Sequence, residues 1–137
     1  MVLALVAVVL GALAGIVFGL GDRTIFVAPP EAVAEGFVRQ LASGRYDRAV
    51  PYLSTRLAEH VDSGALKTST ERLEARTGEI LDVRGEPGSV DGDRASARVR
   101  LKTESAGEVE LAIPLVREEG VWSIDGLGSE PRTGVSG

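Results

Sequence analysis

Residues 94–115, RASARVRLKTESAGEVELAIPL, alternate between apolar and polar positions on both sides of a short polar gap. Ala95, Ala97, Val99 and Leu101 alternate with Ser96, Arg98, Arg100 and Lys102; Val109, Leu111, Ile113 and Leu115 repeat the pattern, with Glu108 and Glu110 on the other face. Period two of this length predicts two antiparallel strands with one buried face. Setting Leu101 opposite Val109 also sets Val99 against Leu111 and Ala97 against Ile113. The same register faces Lys102 with Glu108 and Arg100 with Glu110, each pair worth about 0.2–1 kcal/mol and less where solvent screens it. A slip of one residue would put Leu101 against Glu110 and lose both effects. Pro114 conflicts with an inner strand, so a bulge or bend is expected there.

Working outward, Asp91-Gly92 is a hairpin signal. Ile80, Leu81 and Val83 open an earlier strand, expected to end in the turn-rich Gly85-Glu86-Pro87-Gly88. Glu119-Gly120 turns into a last strand, Val121–Ile124, with Trp122 and Ile124 on one face. Upstream the period changes to that of a helix. Val33, Phe37, Val38 and Leu41 share a face after Pro30, and Gly44 ends the helix. Tyr46, Ala49, Val50 and Leu53 mark a shorter helix in which Pro51 either lies near the start or marks a bend, and Ser54 caps a turn carrying Leu57. Ser63-Gly64 reads as a break, and Thr68 with Glu71 as a capping box opening another short helix. Helices followed by a four-stranded antiparallel meander make an α+β domain.

Residues 1–20, MVLALVAVVLGALAGIVFGL, hold no charged, amide or hydroxyl side chain. At about 1.5 Å per residue they span roughly 30 Å, a bilayer core. Ala12-Leu13-Ala14 offers a signal-cleavage motif, but no basic residue precedes the run and six uncharged residues follow it, so an uncleaved anchor is expected. Ala7, Gly11, Gly15 and Gly19 recur every fourth residue and form a small-residue face where another helix can pack. The partner is a second copy or another membrane subunit. The expected layout is a transmembrane helix at 1–21, a linker at 22–30, a domain at 31–127 and a loose tail at 128–137. Flanking charge leaves the orientation open, since only Arg23 lies close, beside Asp22.

Every charged residue lies after Gly21, so the domain carries the whole formal charge of −5. That excludes nonspecific nucleic-acid binding, which needs a concentrated basic face. The sequence has no Cys and one His, so disulfides are excluded and a metal site would have only scattered carboxylates. No cofactor motif is present; the glycines at Gly126-Leu127-Gly128 do not join a strand to a helix.

The run Pro30-Glu31-x-x-Ala34-x-x-Phe37, with Leu41-x-x-Gly44-x-Tyr46-x-x-Ala49, resembles the opening of NTF2-like domains, closest to bacterial membrane-associated ones of the DUF4878 type. Two later runs add to the resemblance: Val90-x-Gly92-Asp93-x-Ala95-x-Ala97-x-Val99, and Ile113-Pro114-Leu115-Val116-Arg117-Glu118-x-Gly120-x-Trp122-x-Ile124. Together they cover about residues 30–127. The resemblance implies a curved sheet wrapped around helices into a cone with an apolar mouth, on a domain facing away from the cytoplasm at a bacterial inner membrane.

Enzymes among NTF2-like proteins place Asp, Tyr or His inside the cone. Here His60 reads as a surface residue, Tyr46 and Tyr52 as packing residues, and Asp82 and Asp125 as exposed or capping carboxylates. The row Arg94, Arg98, Arg100 and Lys102 reads as the salt-paired outer face of the sheet. The function expected is therefore non-enzymatic: a single-pass accessory subunit of a larger membrane complex acting through protein contacts. The alternative is an extracytoplasmic module that holds a small apolar ligand in its cone.

Overall fold

The computed structural model describes residues 27–128. The proposed membrane helix, with Ala7, Gly11, Gly15 and Gly19, lies outside the described residues, as do part of the linker and the tail beyond Gly128. Among the described residues no helix is long and apolar enough to cross a membrane.

Helix α1 (Pro30–Ala42) opens with proline in its first turn and buries Ala34, Phe37 and Val38, the face its apolar spacing marks. A short α2 (Tyr46–Ala49) passes into a 3-10 turn at Val50–Tyr52, where Pro51 sits. Ser54 then caps α3 (Thr55–Ala58), its hydroxyl accepting from the Leu57 amide at 3.2 Å. Helix α4 (Ser63–Thr77) corrects the sequence reading. It begins at Ser63 rather than breaking there, because the Asp62 side chain accepts from the Ala65 amide at 2.9 Å. Asp62 satisfies one of the orphan donors of the first turn, so Gly64 is tolerated near the start and Thr68 lies inside the helix.

The sheet is an antiparallel meander of β1 (Ile80–Asp91), β2 (Arg94–Thr103), β3 (Gly107–Glu118) and β4 (Val121–Ile124) in chain order. The β2–β3 register is the one the alternation predicts: Leu101 faces Val109, Val99 faces Leu111 and Ala97 faces Ile113. Asp91 pairs with Arg94 across a two-residue turn in which Gly92 takes a φ of 63°, a left-handed geometry suited to glycine.

Two expectations about the sheet are corrected. Gly85–Gly88 do not end β1; the strand runs on to Asp91, with its register to β2 interrupted between Glu86 and Ser89. Pro87 falls inside this irregularity on an edge strand, where a missing amide hydrogen costs no ladder bond. Pro114, in turn, causes no bulge in the β2–β3 ladder, which pairs Ser96 with Pro114 and continues unbroken. Its carbonyl accepts from the Asp125 amide at 2.8 Å, so its nitrogen also faces β4, just beyond that strand's last pair at Leu115 and Ile124.

The core lies between the helices and the apolar face of the sheet. Phe37, Leu66, Val99, Leu101, Ile113, Leu115 and Ile124 are fully buried. The opposite face carries the charges, paired diagonally as a twisted sheet allows: Arg98 to Glu110 at 3.7 Å and Arg100 to Glu108 at 3.8 Å. Arg100 also reaches Glu86 on β1 at 3.1 Å.

Candidate functional site

Side chains of α1, α4 and β3 line a cavity of about 220 Å³. Phe37, Val38 and Leu41 of α1 form one wall, at positions that share a helical face. Leu66, Thr70 and Leu73 of α4 form the second wall, at spacings of four and three residues. The floor is Ile80 with Leu111 and Ile113 of β3, and Leu127 closes the far side. Ser69, Arg72 and Arg76 also line the cavity, and all three belong to α4.

Two polar features stand out in this apolar setting. Among the described residues, Gln40 Oε1 and Thr70 Oγ1 are buried side-chain atoms without a hydrogen-bond partner, and of the two residues Thr70 lines the cavity. Thr70 is only 5% exposed. The charged residues among the described lining are Arg72 and Arg76. The site thus offers apolar surface, one buried hydroxyl and two guanidinium groups, a set suited to holding a molecule.

The residues weighed as catalytic are not brought together here. His60 is exposed in the turn after α3, and Asp82 is exposed on β1. Tyr46 packs half-buried against the core; burial raises its pKa, as do Glu74 and Glu71 nearby. Tyr52 stacks at a tilt on Phe37, with ring centroids 6.1 Å apart. Its pKa is also raised by burial, opposed by a hydrogen bond from Gln40. Asp125 is neither free nor a cap. It accepts from the Ser54 hydroxyl at 2.8 Å and pairs with Arg56 at 3.0 Å and Arg94 at 3.7 Å. No group of three or more His, Cys, Asp and Glu that could hold a metal occurs among the described residues.

This architecture has solved counterparts. One is a Campylobacter jejuni protein described as an NTF2-like transpeptidase, with a TM-score of 0.56 at 19% identity, covering 72% of this chain and 99% of that one. The fold is NTF2-like. A SEC-C motif containing protein from Rhodopseudomonas palustris is similar at a TM-score of 0.54 and 17% identity, covering 74% of this chain and 77% of that one. No family model matches the chain, and no curated protein matches it. In this fold the cavity lies between α1, α4 and β3.

The polar wall of that cavity escaped sequence reasoning. Helix α4 has few apolar residues on its inner face, with Leu66 and Leu73 seven apart and Thr70 between them. The available signal was the series Leu66, Thr70, Leu73, Thr77, whose spacings of four, three and four fit one helical face.

Proposed function

We propose that the chain is a non-enzymatic, membrane-tethered binding protein whose NTF2-like cone holds a small apolar molecule. The observation that carries this reading is the 220 Å³ cavity, walled by apolar side chains and bordered by Thr70 with its unpartnered hydroxyl. A cavity of about 150 Å³ suffices for benzene, so one ring or a short branched chain matches this volume. With no carboxylate, imidazole or thiol among the described residues that line it, the cavity supports binding better than acid–base or thiol chemistry, including any transfer like that named for the Campylobacter protein. Residues 1–20 supply the tether, at a bacterial inner membrane with the domain outside, as the resemblance to DUF4878-type proteins implies. Native mass spectrometry of the full chain extracted in mild detergent tests the reading. A reproducible bound molecule of small mass supports it, and a chain that is always empty rejects it.

A second reading is favoured by the four-residue spacing of Ala7, Gly11, Gly15 and Gly19. There the tether docks on another subunit or a second copy, and the protein stabilises a larger membrane complex. Gly15→Leu would block close helix approach. Loss of co-purifying partners supports the reading, and unchanged co-purification rejects it.

A further inference from the structure

We infer that the cavity selects a small apolar molecule carrying one accepting oxygen, a carbonyl or an ether, where its body meets Thr70. The inference rests on the binding reading above and adds the polarity of the ligand. It starts from the buried hydroxyls. Among the described residues the buried polar side chains are those of Ser54, Thr70, Thr77 and Thr103, and three of the four are satisfied within the protein. Ser54 donates to Asp125 Oδ1 at 2.8 Å. Thr77 reaches the Leu73 and Gly78 carbonyls at 3.2 and 2.9 Å. Thr103 donates to the Gly107 carbonyl at 2.8 Å and accepts from the Ala106 amide at 3.2 Å. Thr70 is the exception, and of the four it is the one that lines the cavity.

The helix does not force this exception. Thr77 lies two turns further along α4 and turns its hydroxyl back to the carbonyl four residues earlier, the usual outlet for a threonine within a helix. The equivalent acceptor for Thr70 is the Leu66 carbonyl, and that bond is not made. A helical threonine populates two χ1 rotamers, so hydroxyl and methyl can exchange places without moving the backbone. An occupant seated against Leu66 and Leu73, which flank Thr70 on this wall, would select the rotamer that turns the hydroxyl toward it. The facing walls, Phe37, Val38 and Leu41 of α1 with Leu111 and Ile113 of β3, are apolar. A hydrocarbon occupant would leave the hydroxyl sealed and unpaired, which is costly, whereas a carbonyl or ether oxygen pairs it.

The test uses two probes of one planar shape, acetophenone and α-methylstyrene, which differ by an oxygen in place of a methylene group. Each is titrated into the full chain in zwitterionic nanodiscs while the amide resonances of Leu66, Leu73 and Leu111 are followed. The titrations are repeated on Thr70→Val and Thr70→Ser. Probe hydration and partition into lipid are common to all of these chains, so a change in the affinity ratio between them isolates the side chain. Thr70→Val is expected to weaken acetophenone about fivefold relative to α-methylstyrene, the factor one neutral hydrogen bond provides. Thr70→Ser keeps the hydroxyl and should preserve the ratio. A ratio unchanged in Thr70→Val, or lost equally in Thr70→Ser, would overturn the oxygen inference while leaving the binding reading standing. No shift with either probe would overturn both.

Discussion

The Ser54 hydroxyl donates to Asp125 Oδ1 at 2.8 Å, tying the cap of α3 to the residue that follows β4. The tie is tightened by the Ser54 amide, which donates to the Ile124 carbonyl at 2.7 Å, and by Arg56, which donates to the Asp125 carbonyl at 2.7 Å. A four-residue edge strand has little ladder of its own, so these bonds hold β4 against the helical layer.

Ser54→Ala removes both the helix cap and the bond to a carboxylate. Ser54 is fully buried, so water cannot replace either bond without opening the site. The two losses are expected to cost about 2 kcal/mol together. For a domain of this size that lowers the melting temperature by roughly 8–16 °C. Thermal unfolding of the variant checks it; a drop under about 3 °C would show that Arg56 and the backbone bonds suffice.

Gly85 is required by proximity. A Cβ on Gly85 would collide with the Glu31 carbonyl oxygen and come within 2.9 Å of Glu35 Cβ, because α1 crosses β1 at this point. The Gly85 amide also donates to Glu35 Oε1 at 2.8 Å. Gly85→Ala should therefore force α1 off the strand and cost about 1–3 kcal/mol. Gly92→Ala instead meets open space, so its penalty is one of backbone conformation alone, about 1 kcal/mol. Urea denaturation of both variants gives the ranking, and equal losses would contradict the close-approach account.

These glycines also show where the sequence was legible. The β2–β3 register could be read because two alternating runs and two sets of opposite charges agreed on one alignment. The Gly85–Gly88 stretch could not, because glycine and proline signal a turn locally. Here they serve an approach by α1, set by Glu31 and Glu35 some 50 positions away, and an edge irregularity against Arg98 and Ser96 of β2. Helix α4 was half legible for a related reason. Its start depends on the Asp62 cap and its inner face is part threonine, so reading Ser63-Gly64 as a break and Thr68 with Glu71 as a capping box placed its beginning too late. The cavity inherits that gap, since its polar wall belongs to α4.

Tyr52 makes stability depend on alkaline pH. Burial raises its folded-state pKa above the ordinary value of 10.0. Between that value and the folded-state pKa the native chain binds more protons than the unfolded one, so stability is complete below about 10 and falls as pH rises further. Tyr46 shifts the same way, through burial and then Glu74 and Glu71. Tyr52→Phe should flatten the decline without abolishing it. Denaturant midpoints taken from pH 9 to 11 on both chains measure the difference, and parallel curves would remove Tyr52 from the account.

Thr70 separates a stability role from a binding role. A threonine hydroxyl buried without a partner costs stability, roughly 1–3 kcal/mol on mutational scales, and valine keeps its shape. If the hydroxyl serves the fold, Thr70→Val should destabilise the protein. If it serves an occupant, the empty variant should be neutral or stabilised by about 1 kcal/mol, and affinity for a ligand bearing an oxygen near that position should fall. The expected result is the second. Differential scanning calorimetry of the ligand-free protein reads the stability, and titration with phenoxyacetate and 3-phenylpropionate reads the affinity. The ether oxygen of phenoxyacetate should lose its advantage in the variant, whereas a destabilised variant with unchanged affinities would return Thr70 to the core.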